Sequence, residues 1–527
     1  MWGFESPPGH QNKEDRIFAV FFVSSVGREP RVSEAIEQRG STERPKERRR
    51  GAVPRRSGGL WAFQPEPNPP VGTLPRLKGY GRVTRVIEGY GWHGQFREAL
   101  AEDEACDACQ FIADGTAKSV GQRYFLLASH LYCLIFSFIS YAGEVNVRTS
   151  KNPNTFSFMT VNTQTPDTLL LGPGPCNISE GVREALSRPL LGHLDPGFIA
   201  VMETVKGQLR QVFDTRNTVT FPISATGSAG MEFLLANFLE PGDKIVVGVN
   251  GVFGGRVAAL SEKLGAEVIR VEQEWGRAVD NEVFIAAVEE HAPKIAALVN
   301  GETSTGVYQP MHGIGEACRE AGSLLFVDCV TSLAGMPVHI DKWGADLVFS
   351  GTQKCIGVPP GLAPVTVSER ALEVYRQRSK PTPSFYFDLD AILAYVDGEG
   401  GRSYHHTAPI SMVFALEAGL KEILDEGLEA RWKRHEDAAA YLRSELAAFG
   451  FEPVVPEGER LNPLTTLYLP SGVDDAVTRG KLLNDHQIEV GAGLGPLAGK
   501  IWRIGLMAGN AQRSSVDRLV EALKTVL

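Results

Sequence analysis

From about Leu169 onward, short apolar runs alternate with longer segments of helical period, and this alternation limits the fold more than any other feature of the sequence. "KIVVGVN", "EVIRVE", "KIAALVN", "SLLFVDC" and "ADLVFSG" read as strands. Between them "TGSAGMEFLLANFL", "GGRVAALSEKLG", "NEVFIAAVEEHA" and "GIGEACREAG" read as helices. Strands separated by helices cannot form hairpins, so the expectation is an α/β fold with a mostly parallel central sheet. Two long amphipathic helices follow, "ISMVFALEAGLKEILDEG" and "LEARWKRHEDAAAYLRSELAAFG". Beyond Gly450 shorter strands and helices suggest a smaller C-terminal α+β domain. The expected division is a large domain over 159–425, with an N-terminal arm at 159–185, and a small domain over 426–527.

Residues 1–158 have a different texture. The chain of 527 residues carries a net charge of −10. The acidic excess lies entirely after residue 158, while the first 158 residues are slightly basic. "STERPKERRRGAVPRRSGG" is basic, punctuated by Pro and Gly, and without apolar period, so it is expected to be a solvated, disordered tract. "YFLLASHLYCLIFSFISYAG" has the length of a membrane span, but its serines, histidine and tyrosines make it marginal, and a membrane is not an expected partner. "FSFMTVNTQTPDTLLLGPGP" reads as a natural start at Met159, which makes 1–158 an upstream extension translated from a wrongly chosen start codon. The acidic body argues against nucleic acid. The seven cysteines, odd in number and irregularly spaced, form no disulfide framework and suit a reducing compartment. "CDAC" has no second pair nearby and is given no metal role. The terminal "KTVL" is not a Ser-Lys-Leu address, so the cytoplasm is the expected location.

In open α/β sheets ligands gather in loops past the carboxyl ends of strands. Here those loops hold the unusual residues. "SATGSAGME" sets Thr226, Gly227 and Ser228 at a helix start, a natural anion site, although such residues are also ordinary caps. "NGVFGG" leaves a strand with Phe253 between glycines, an aromatic on which a flat ring can stack. "NGETSTGV" places Glu302, Thr303 and Thr305 in a polar loop. "FVDCVTS" ends a strand in Asp328, a poorly solvated carboxylate that wants a cationic partner. "FSGTQKCIGVPPG" frames Lys354 between a strand end and a loop stiffened by Gly and Pro. An anion cradle, a stacking ring, a strand-tip acid and a framed lysine together describe pyridoxal 5′-phosphate. The acid keeps the pyridine nitrogen protonated. The lysine must be partly unprotonated to bond to the aldehyde, as desolvation encourages.

Residues 159–527 resemble, throughout, a class V aminotransferase of fold type I, most similar to the alanine–glyoxylate and serine–glyoxylate (serine–pyruvate) group. The resemblance rests on "LLLGPGPCNISE", "NGVFGGR", "GETSTGV", "VDCVTSLAGMPVHID", "SGTQKCIGVPPG", "YHHTAP" and "WRIGL", and does not extend into 1–158. It implies that Lys354 bonds covalently to the cofactor and Asp328 pairs with its ring nitrogen. Thr226, Gly227, Ser228 and Gln353 would hold the phosphate, and Thr303 would sit by the ring hydroxyl. Val330 would cover one ring face and Phe253 the other. Many relatives carry Trp at the latter place, so stacking area shrinks here. Tyr404 and Thr407 resemble residues that reach the phosphate of a neighbouring subunit, which implies a homodimer. Arg503 resembles the arginine that grips the substrate α-carboxylate, and Gly174 lies in the turn lining the substrate pocket. His405 and His406 lack further ligands at suitable spacing, so no metal is expected.

The reaction implied is ping-pong transamination of a small amino acid, alanine or serine, with glyoxylate. The alternative within the class is ureidoglycine–glyoxylate transamination, which shares "GTQKC"-like loops. Cysteine desulfurases usually have His beside the lysine and His on the ring, where this chain has Gln353 and Phe253. A membrane-tethered interaction protein with a degenerate enzyme body is the reading from another class, and Lys354, Asp328 and Arg503 argue against it. Cys355 reads as a small packing residue.

Overall fold

A computed structural model describes residues 167–397 and 402–527, all within one compact unit, 165–527. The basic tract, the apolar run, "CDAC" and the expected start at Met159 lie outside the described residues.

The strands are β1 (Leu169–Leu171), β2 (Val219–Ile223), β3 (Lys244–Val249), β4 (Glu267–Glu272), β5 (Ile295–Val299), β6 (Gly301–Glu302), β7 (Val307–Tyr308), β8 (Leu324–Asp328), β9 (Leu347–Phe349), β10 (Ala363–Val367), β11 (Glu452–Pro453), β12 (Leu464–Tyr468), β13 (Ile488–Ala492) and β14 (Ile501–Gly505). Seven of them form the main sheet in the order β2-β10-β9-β8-β5-β3-β4. β3, β4, β5, β8 and β9 are mutually parallel, and β10 runs antiparallel to both of its neighbours. β5 ("IAALV") and β8 ("LLFVD") are buried along their whole length, as expected of strands covered by helices on both faces. A second sheet, β1-β13-β14-β12-β11, is mostly antiparallel.

Thirteen α-helices are labelled among the described residues. They are α1 (Glu180–Leu186), α2 (Pro196–Phe213), α3 (Gly227–Phe238), α4 (Val252–Lys263), α5 (Asn281–His291), α6 (Ile314–Glu320), α7 (Ile340–Trp343), α8 (Glu369–Arg376), α9 (Leu389–Val396), α10 (Ile410–Glu426), α11 (Leu428–Ala447), α12 (Asp475–His486) and α13 (Arg513–Val526). Two apolar clusters fill the unit. One centres on the main sheet and the other on Leu171, Leu442, Trp502 and Leu519 around the second sheet.

Most expected elements occupy their expected positions, with three departures. Phe253 does not sit in a loop, because α4 begins at Val252 and carries it in the first turn. The short runs "VTFPI" and "APVTV" lie side by side as β2 and β10, paired from Val219 with Val367 to Ile223 with Ala363. The segment expected as an arm of the large domain delivers β1 to the second sheet, where Leu169–Leu171 pair with Ile488–Val490. Each departure depends on a nonlocal partner that local period does not reveal.

Candidate active site

The carboxyl ends of β2, β3, β5, β8 and β9 lead directly into the segments that hold the expected site residues. Lys354 lies in the loop after β9 and is only 8% exposed. Its Nζ donates to the backbone carbonyl of Pro173. Burial pulls the ammonium down to about 8 from 10.5, and the charge of Arg503 adds to that effect. Gly174 (φ 99°) lies against the lysine: a Cβ there would come within 2.6 Å of both Cδ and Nζ of Lys354. The turn after β1 therefore fits only a residue without a side chain. Cys355 is fully buried and its Sγ donates to the Thr331 carbonyl, consistent with packing.

Asp328 ends β8 and is 2% exposed. One oxygen accepts a hydrogen bond from the Val330 N–H at 2.9 Å. The expected direct cationic partner is not found among the described residues; Lys354 and Arg256 act on the carboxylate only through their fields. Burial pushes its carboxyl up to about 7, with the charge of Glu302 a smaller contribution in the same direction.

The anion cradle is built from α3. Ser179, Asp195, Asp280, Ser368, Asp388 and Asp474 each cap a helix with their side chains. Thr226, at the N-cap of α3, makes no such bond. Its hydroxyl and the N–H groups of Gly227 and Ser228 make no hydrogen bond among the described residues and are free to receive an external acceptor. Gly227 faces Val330 and Gly351, with room for a Cβ only at 3.4 Å from Val330 Cγ2. Gly351 in turn packs against Gln353, whose buried Oε1 has no hydrogen-bond partner. Ser228 accepts from Arg256 at 3.2 Å, and the same guanidinium lies 4.9 Å from the Phe253 ring centroid.

Thr303 is buried, with its Oγ1 2.5 Å from that of Thr331. Arg503, on β14, is 8% exposed and makes no ion pair among the described residues. Its Nε donates to Ala492 O at 2.7 Å and Nη1 to Thr303 O at 3.3 Å. The buried partners of this arginine are thus carbonyls, so its positive charge remains unneutralised by direct contact. Tyr404 and Thr407 are both exposed: Tyr404 is 62% exposed and its hydroxyl is 3.4 Å from that of Thr407. Beside them His405 and His406 approach each other at 2.8 Å, and their other nitrogens meet Phe385 O and Ser224 Oγ.

Glu302 and Arg256 were not singled out as site residues from sequence. Glu302 is fully buried and receives the N–H groups of Phe253 and Gly254. The arginine one turn beyond Phe253 was a usable signal for Arg256; nothing local marks Glu302.

These features fit pyridoxal phosphate: an unused cap hydroxyl, an orphaned buried amide oxygen, a buried acid short of partners, a lysine relieved of part of its proton affinity, and glycines where a side chain would collide. The fold and this loop set are those of the fold type I aminotransferases. A family model described as "Aminotransferase class-V" matches residues 186–518. Alanine–glyoxylate aminotransferase of Felis catus is 38% identical over 366 residues, covering 69% of this chain and 88% of that protein. The (S)-ureidoglycine–glyoxylate transaminase of Bacillus subtilis is 36% identical over 381 residues, covering 69% and 91%. The crystal structure of alanine–glyoxylate aminotransferase from Nostoc sp. superposes with a TM-score of 0.68 at 44% identity, covering 70% of this chain and 97% of that one. The chain belongs to the class V aminotransferases, and it is a transaminase.

Proposed function

We propose that the enzyme transfers the amino group of alanine or serine to glyoxylate, giving glycine and a 2-oxo acid. The observation that carries this reading is the convergence of a deprotonatable Lys354, an underpaired Asp328 and an unneutralised Arg503 in a chain whose relatives include alanine–glyoxylate aminotransferases. When bound, pyridoxal phosphate supplies the aldehyde that takes up the amino group and a ring that spreads the electron pair released at the substrate α-carbon.

The protein's own residues do the rest. Thr226, Gly227, Ser228 and Gln353 would hold the phosphate. Phe253 and Val330 would cover the ring, Thr303 would meet its hydroxyl, and Asp328 would keep its nitrogen protonated. A protonated nitrogen facing Asp328 would return that carboxyl to its charged form. Arg503 would orient the substrate by its α-carboxylate, and Gly174 keeps the turn that lines the pocket clear of the Lys354 side chain. Lys354 Nζ, as a free amine, would take the proton from the substrate α-carbon and, as the ammonium, give it back to the substrate–cofactor pair, ending as it began. The reading includes a homodimer in which Tyr404 and Thr407 reach toward the second copy's phosphate, supported by the exposure of Tyr404 and of Phe385, which stacks on His405. The buried free thiols Cys176, Cys318, Cys329 and Cys355 support a reducing compartment, the cytoplasm.

A panel of amino donors with glyoxylate, run on the full chain, tests the reading. Turnover with alanine or serine is expected. Preference for ureidoglycine would favour the second reading, which the Bacillus subtilis relative motivates, and activity with none of the three would sink both. Lys354→Ala should abolish turnover and the absorption of lysine-linked cofactor. Capture of pyridoxal phosphate by cofactor-free protein should accelerate as pH rises, with a midpoint at about 8, because below it the buried amine carries a proton. Stopped-flow absorbance reads that profile, and a midpoint near the ordinary lysine value would reject it.

A further inference from the structure

Glu302 lies at the end of the β6 strand, 48 or more residues in sequence from the start of α4, yet its carboxylate bonds directly to that helix. One carboxylate oxygen accepts the N–H groups of Phe253 (3.0 Å) and Gly254 (3.3 Å). The other accepts the N–H and hydroxyl of Ser304 at 3.0 and 2.6 Å. The Ser304 hydroxyl accepts the Val252 N–H at 2.9 Å. The first three N–H groups of α4, a twelve-residue helix, are therefore capped from another part of the chain rather than by a local side chain. Gly251, just before α4, makes no side-chain cap bond and leaves the space this needs. A Cβ on Gly251 would lie 2.4 Å from Ser304 Oγ and 2.5 Å from Glu302 Cδ. Its φ of 177° is ordinary extended backbone, so the constraint there is purely one of space.

Between the two capping residues lies Thr303, whose carbonyl receives the Arg503 guanidinium and whose hydroxyl meets Thr331. One short loop thus holds the stacking ring on α4 and the carboxylate-gripping arginine on β14 in fixed relation. A buried carboxylate accepting four bonds keeps its position well, because moving it would leave several donors unpaired.

We propose that Glu302 is the positioning residue of this active site: its carboxylate seats the Phe253 ring against the cofactor and, through the Thr303 carbonyl, sets the Arg503 fork at the distance a substrate carboxylate needs. The inference rests on the aminotransferase reading of the site. It acts through Phe253 and Arg503 and gives Glu302 no contact with substrate.

Glu302→Gln is the direct test, because the amide keeps the shape but presents one N–H₂ where two acceptor bonds were made. Cofactor-free protein is titrated with pyridoxal phosphate, followed by absorbance and by the circular dichroism that the bound ring acquires from its seat. The expected result is a Kd weakened roughly 10- to 100-fold, an altered dichroic band, and a rise in KM for the amino acid larger than the fall in kcat. Gly251→Ala, whose Cβ presses on Ser304 Oγ and Glu302 Cδ and pushes the helix from the loop while keeping the carboxylate's chemistry, should reproduce the dichroic change. Ser304→Ala should give a smaller one, and both serve if Glu302→Gln fails to fold. Wild-type Kd, dichroism and KM in these variants, even with a lowered melting temperature, would overturn the proposal. A wild-type chain that fails to bind pyridoxal phosphate would instead overturn the reading on which it rests.

Discussion

Asp328 and Asp346 are buried aspartates at opposite edges of one sheet, and their surroundings could hardly differ more. Asp346, 4% exposed, lies just ahead of β9 at the amino edge. It accepts the Leu325 N–H at 2.9 Å, the Ser368 hydroxyl at 2.7 Å and the Arg370 guanidinium through both its oxygens. Arg370 also bonds Ser323 O at 2.7 Å. Asp328, at the carboxyl edge of β8, has a single backbone donor. A fold that can neutralise one buried acid so completely leaves the other short of partners at the place where loops converge. The difference separates a carboxylate that holds structure from one kept available for a ligand.

The comparison can be broken by experiment. Asp328→Asn should lower kcat/KM by about a thousandfold, the scale of losing a preorganised electrostatic partner, while the cofactor-free fold survives; near-normal turnover would show that Asp328 does not face the reacting ring. Asp346→Asn should do the opposite. Removing one member of a buried pair is expected to cost about 3 kcal/mol of stability, read by urea denaturation, with kcat of the folded enzyme unchanged. A loss of kcat without a loss of stability would erase the distinction.

A smaller effect sharpens it. Asp328 has a folded pKa of about 7, above its unfolded value of 3.8. The unfolded chain releases this proton first, so in cofactor-free protein Asp328 costs stability progressively as pH rises from 3.8 to about 7, and by a constant amount above. Asp328→Asn should therefore stabilise cofactor-free protein by about 2 kcal/mol more at pH 8 than at pH 5. Equal effects at both pH values would mean that the acid is already paired. The smallest expected change is at the ring face. Phe253→Trp should tighten pyridoxal phosphate binding about threefold by adding stacking area, as fluorescence quenching would show; weaker binding would mean that α4 has no room for the larger ring.

Much of this site was legible because its residues are announced locally. Lys354 sits in a frame of Gly and Pro, Asp328 follows four apolar residues, and Thr226 opens a helix with small residues. Each signal lies within a few residues of the group it marks. Glu302 was visible only as one member of a polar loop, because its role comes from α4, reached through β3 and not through its own neighbours. Arg503 was legible through the resemblance, but its own partners were not. That the partners are the carbonyls of Ala492 and Thr303, leaving the charge open, depends on two separate strands meeting.

The sequence by itself determined the alternation of strand and helix, and with it the edge of the sheet where chemistry could gather. Period and cap residues act over one or two turns, and short-range sterics and hydrogen bonding fix them. Only the tertiary structure decided which acid would be satisfied and which left underpaired, since hydrogen-bond partners of a buried group are chosen by the packing of distant segments. Arg370 reaches Asp346 because β10 turns back beside β9. Among the described residues no strand brings an equivalent cation to Asp328, and that local shortage of partners is what makes it available to a ligand.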